Sequence, residues 1–194
     1  MAASSKIGRL CALAIATIFF VGMNGKLARS QEPPQKVKPS MSQSVSVVAR
    51  TDRNRYSRDS VLRLSAYLRN DGDGPVYVDG RMFWTGFGGG LELQIHDANG
   101  KRLPARVMSD AIMPPPAEND KSILIRLDPG FFYGTSINLK VNDFFPEPGR
   151  YSIRVVYKSW LRRESVAPQL RSLPALWENT PQITSEPVWI EVAK

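Results

Sequence analysis

The sequence predicts an all-β domain, an antiparallel sandwich of about eight to ten short strands, preceded by an export signal. Three observations predict it. From Ser44 onward, apolar residues recur with a period of two. The runs are short and bounded by Gly, Pro, Asn and Asp. No segment of that region has the length and 3.6-residue period of a long amphipathic helix.

The first thirty residues are built differently. Lys6 and Arg9 precede an uncharged run from Leu10 to Met23, and small residues follow. As a helix that run reaches about 21 Å, short of the ~30 Å hydrocarbon core. A basic start, a short apolar run and small residues before a cut site describe a secretory signal peptide over 1–30. Ala28 and Ser30 place the cut after Ser30, with Gln31 as the new N-terminus. Contact with a membrane is expected only if the signal stays attached. The expected destination is the periplasm or the outside of a bacterial cell.

Removing the signal changes the charge argument. The chain has 26 basic and 18 acidic residues, a net charge of +8. Residues 1–30 hold four of the bases and none of the acids, which leaves 22 against 18, or +4. That surplus makes no case for nucleic acid, which calls for a clustered basic footprint. Cys11, the single cysteine, leaves with the signal. Disulfide scaffolds, thiol enzymes and cysteine metal sites are excluded with it.

Gln31 to Gln43 is a proline-rich linker, and the domain runs over 44–194. A first strand covers about Val45 to Thr51. In Ser60 to Arg69, Leu62, Leu64, Ala66 and Leu68 point one way, while Arg63, Ser65, Tyr67 and Arg69 point the other. Val76–Val78 and Met82–Trp84 are short strands. Gly86 to Gly90 is a loop around Phe87. Leu91, Leu93 and Ile95 alternate with Glu92, Gln94 and His96, and Asn99-Gly100 turns the chain into a return strand over 101–108. Pro114–Pro116 forms a rigid loop. Strands follow over 122–127, 135–141, 150–158 and 187–192, and the long connection from Leu161 to Ser185 holds at most a helical turn near 169–177.

Pro148-Gly149-Arg150-Tyr151 adds detail, with Ile153, Val155 and Tyr157 facing inward behind it. The arrangement resembles the tyrosine corner of immunoglobulin-like sandwiches. The alternative is a Tyr151 that simply opens a strand and fills core. With Leu127-Asp128-Pro129-Gly130, Phe144-Phe145 and Ser185-Glu186-Pro187-Val188, the layout resembles small bacterial immunoglobulin-like modules. Similar layouts occur in the intracellular proteinase inhibitor family and in accessory domains of secreted enzymes. The resemblance implies an immunoglobulin-like fold and brings no active-site residue with it. The export signal departs from an intracellular inhibitor.

No catalytic constellation is recognisable. His96, the single histidine, shares its face with Glu92 and Gln94, as an exposed polar strand does. No cofactor or metal is expected. Asp71, Asp73 and Asp79 invite a calcium reading, but Pro75 and Met82 stand where the loop motif needs ligands. Two groups lean toward binding. Arg63 and Arg69 on one strand, and Arg150, Arg154 and Lys158 on another, make one basic surface if those strands are neighbours. Phe87, Pro115 and Phe132 are candidate loop contacts. The leading expectation is therefore an exported, non-catalytic module that binds a protein or envelope component. A protease inhibitor presenting the Pro114–Pro116 loop is the alternative, and a hydrolase using scattered carboxylates is a third class.

Overall fold

The structure is a computed structural model that describes residues 44–84, 90–105, 107 and 121–194. The expected signal peptide, the linker, Phe87 and Pro115 lie outside the described residues. The described part is an all-β sandwich. One sheet has the order β1 (Val45–Thr51), β3 (Val61–Asn70), β8 (Phe132–Lys140). The other runs β2 (Arg55–Tyr56), β11 (Val188–Val192), β9 (Gly149–Lys158), β5 (Gly90–His96), β6 (Arg102–Leu103), with β10 (Ile183–Thr184) also on β9. A small third sheet pairs β4 (Val76–Asp79) with β7 (Leu124–Leu127). The pairings are antiparallel except β2 with β11, where the chain has left the first sheet after β1 and joined the second.

Alternation places the core where the sequence predicts it. Leu62, Leu64, Ala66 and Leu68 of β3 are fully buried against Leu91, Leu93 and Ile95 of β5 and Ile153 and Val155 of β9. Each of these leucine, isoleucine and valine side chains contributes roughly 1.5–3 kcal/mol through burial. A second, smaller core gathers Ile123, Leu161, Val166, Ala175 and Trp177. It fastens the long connection to the β4 edge, where Tyr77 exchanges backbone hydrogen bonds with Pro174 and Leu176 at 2.9 Å.

Several expected elements differ. Among the described residues, the return strand expected over 101–108 is Arg102–Leu103, followed by Pro104, which has no N–H to continue the ladder. Met82–Trp84 is not a strand; Trp84 makes a single parallel bridge to Leu91. The helical turn expected near 169–177 is a 3-10 turn at Pro168–Leu170. The short α1 (Val141–Phe144) ends β8. β2 and β10, two residues each, are too short for a period to show.

Tyr151 is a tyrosine corner. Its hydroxyl donates to the Glu147 carbonyl at 2.6 Å, and its ring meets Phe145 edge-on with centroids 5.0 Å apart. The bond ties β9 to the turn that introduces it. Tyr151→Phe is expected to lower stability by about 1 kcal/mol, the net value of one such hydrogen bond. A urea midpoint that falls while the far-UV spectrum is retained checks this; an unmoved midpoint contradicts it.

The crossing from β1 to β2 has its own clamp. Asp52 accepts from the Tyr56 hydroxyl at 2.7 Å and from the Arg63 amide at 2.9 Å, and Arg53 lies 3.4 Å away. Partial burial works against the Asp52 charge, but those hydrogen bonds and Arg53 outweigh it and hold the carboxyl below its ordinary 3.8. Burial, then the hydrogen bond to Asp52, pushes the Tyr56 hydroxyl up to about 12. A carboxylate lowered in the folded state stabilises above its unfolded value, and the benefit is lost as pH falls through the folded one. Asp52→Asn is therefore expected to lower the melting temperature at pH 7, and the gap to close at a pH well below the ordinary carboxylate value of 3.8. Melting curves at both pH values check it; a gap independent of pH contradicts it.

Candidate functional site

The six-stranded sheet carries a groove on its outer face, built by the register of three strands. Trp189 of β11 lies opposite Ser152 of β9, and Ser152 lies opposite His96 of β5. Adjacent strands are about 4.8 Å apart, so Trp189 and His96 stand about 10 Å from each other across a serine. Ser152 is buried and forms a low floor between two large rings. The next row places Gln94 opposite Arg154. Asp97 and Pro187 also line this groove of about 650 Å³.

Trp189 faces outward because of a defect in the ladder. Thr184 pairs with Val156, and Val188 pairs with Ile153. Four residues on one strand thus span three on β9, a β-bulge at Ser185 to Pro187. The Val155 amide donates to the Ser185 hydroxyl at 3.0 Å, and the Ser185 amide donates to the Val155 carbonyl at 2.9 Å. The extra residue reverses the alternation. Ile183 packs on the core before it, Ile190 and Val192 pack on the core after it, and Trp189 and Glu191 are turned to solvent.

An indole that is 45% exposed is unusual on a strand face. Arg150 braces it, with the guanidinium 4.3 Å from the ring centroid. On this far side a second opening of about 680 Å³ is lined by Asn54, Arg55 and Arg150. Trp189 is thus a ridge between two depressions, one holding its brace and the other floored by Ser152.

The charges on this face are unevenly matched. Arg102 is paired with Glu92 at 2.6 Å, and Arg55 with Glu191 at 3.7 Å. Arg150, Arg154 and Lys158 form no ion pair among the described residues. They recur every fourth residue along β9, about 13 Å apart. The acid at the rim, Asp97, accepts two backbone N–H bonds at 2.9 Å, from Asn99 and Lys101. His96 and Ser152 are cross-strand neighbours, but no hydrogen bond joins them among the described residues, as it would join a base to its nucleophile.

The basic residues named from sequence divide between two faces. Arg63 and Arg69 lie on β3 in the three-stranded sheet, whereas Arg150, Arg154 and Lys158 lie on β9 in the other. The strands are not neighbours, so no single basic surface joins the five. Arg69 is already bound to Asp71 at 2.6 Å. Phe132 is exposed on β8, where its ring meets Tyr67 edge-on, and Tyr67 crowds Gly134 so closely that a side chain there would overlap the Ala66 carbonyl. Of the calcium candidates, Asp71 is held by Arg69. Asp79 is buried and engaged by Arg81 at 3.0 Å. Trp189 and Ser152 escaped the sequence reading. The signal was available in Pro187–Val192, where Trp189 shares its parity with the charged Glu191.

No protein-family model and no curated protein matches the chain. Solved structures resemble it only distantly. A β-glucosidase from Erythrobacter marinus is 16% identical with a TM-score of 0.36, covering 77% of this chain and 15% of its own. A CARDB domain from Pyrococcus furiosus, in complex with di-metal ions, is 11% identical with a TM-score of 0.33, covering 77% and 87%. A β-glucuronidase from Bacteroides uniformis is 14% identical with a TM-score of 0.27, covering 74% and 12%. The chain thus spans a small fraction of either glycosidase, and likeness at this level says nothing about what it binds.

Proposed function

We propose that the chain is an exported, non-catalytic module that binds a cell-envelope component through the outer face of its six-stranded sheet. The observation that carries this reading is the Trp189 ridge. An exposed indole, braced by Arg150 beside a serine-floored groove and a column of cations without ion pairs among the described residues, is a surface arranged for contact. Nothing in the core requires it, since Ile190 and Val192 on the same strand do the packing. The sequence supports export through its signal peptide. The inhibitor alternative rests on the layout and on Pro114–Pro116, and that loop lies outside the described residues.

The test is a crosslinked pull-down of the C-terminally tagged full chain from the envelope of the cell that makes it. Envelope material is expected with the wild type and to be largely lost with Trp189→Ala, whose melting temperature should stay close to that of the wild type. Retention of the same material by both forms contradicts the proposal.

A further inference from the structure

Resting on that reading, we infer that the groove beside Trp189 takes a sugar ring of a linear acidic polysaccharide, whose carboxylate or sulfate groups meet Arg150, Arg154 and Lys158. Shape gives the first reason. A pyranose has a flat, apolar C–H face and a polar rim. The groove offers an indole on one side, a small hydroxyl floor, and Gln94 and His96 within reach of ring hydroxyls. Only one large hydrophobic side chain, Trp189, is exposed among the described residues of this face, whereas a protein interface needs an apolar core within about 800 Å² per partner.

Charge gives the second reason. Glu92 and Glu191 pair with Arg102 and Arg55, and Asp97, at the rim, is turned to the Asn99 and Lys101 amides. Arg150, Arg154 and Lys158, without an ion pair among the described residues, follow one strand at equal intervals, so they match an extended chain with repeated negative groups better than a single compact anion. Charge alone also attracts acidic peptides, but a run of acidic residues such as polyglutamate has no ring to lay on Trp189. The opposite sheet face is the weaker candidate. Its depression beside Tyr67 and Phe132 is only about 130 Å³, and its Arg69 is already paired.

The test measures binding of the tagged full chain to four probes by calorimetry at low salt. Chondroitin sulfate and polygalacturonate combine rings with negative charge, polyglutamate has charge without rings, and dextran has rings without charge. At least one acidic glycan is expected to bind about tenfold more tightly than polyglutamate, with no heat from dextran. Trp189→Ala and Arg154→Glu should each weaken glycan binding by about tenfold, Trp189→Phe should restore part of it, and Phe132→Ala on the far face should leave it within about twofold. Polyglutamate binding as tightly as the glycans overturns the inference, as does a Trp189→Ala variant that binds glycan normally. If neither glycan binds while envelope capture still depends on Trp189, the glycan assignment falls and the binding-module reading stands. If capture is also indifferent to Trp189, both fall.

Discussion

Strand β9 has to serve the core and the outer face at once, and most of the structure depends on how it is held. Its inward residues, Tyr151, Ile153, Val155 and Tyr157, fill the space between the sheets. Its outward residues, Arg150, Ser152 and Arg154, make the floor and flank of the groove. A shift of one residue would exchange the two sets, putting arginines in the core and aliphatic side chains in water. The Tyr151 hydroxyl, bonded to the Glu147 carbonyl, fixes where the strand begins. Pairing with β5 on one edge and with β10 and β11 on the other fixes the rest.

The site exists because that regular frame is broken once. The bulge at Ser185 to Pro187 adds a residue to the last strand and reverses its alternation, which turns Trp189 outward over Ser152 while Ile190 returns to the core. A bulge leaves ladder groups to be satisfied, and the Ser185 hydroxyl takes the Val155 amide. Fold and site are therefore coupled at one place in the chain.

Much of this was legible in the residues. The alternation of Leu62, Leu64, Ala66 and Leu68, the outward set of Glu92, Gln94 and His96, and the turn before Tyr151 follow from side-chain chemistry at fixed spacing. What period two cannot give is the identity of a strand's partner. Arg63 and Arg154 look alike in sequence, yet they sit on opposite sides of the sandwich because β3 and β9 belong to different sheets. The sheet switch after β1 was hidden for a related reason, since two residues of β2 contain no period. Trp189 was hidden by the bulge: alternation counted from Ile183 turns it inward, and only its step with Glu191 points it out.

Everything above turns on whether the outer face of β5, β9 and β11 meets the ligand. Two-dimensional NMR of the tagged chain, titrated with a short oligosaccharide of whichever acidic glycan binds in calorimetry, decides it. The Trp189 indole N–H and the amides of Ser152, Arg154 and His96 are expected to shift together and saturate at one concentration. Shifts confined to the opposite face, around Tyr67 and Phe132, or none at all, would contradict it.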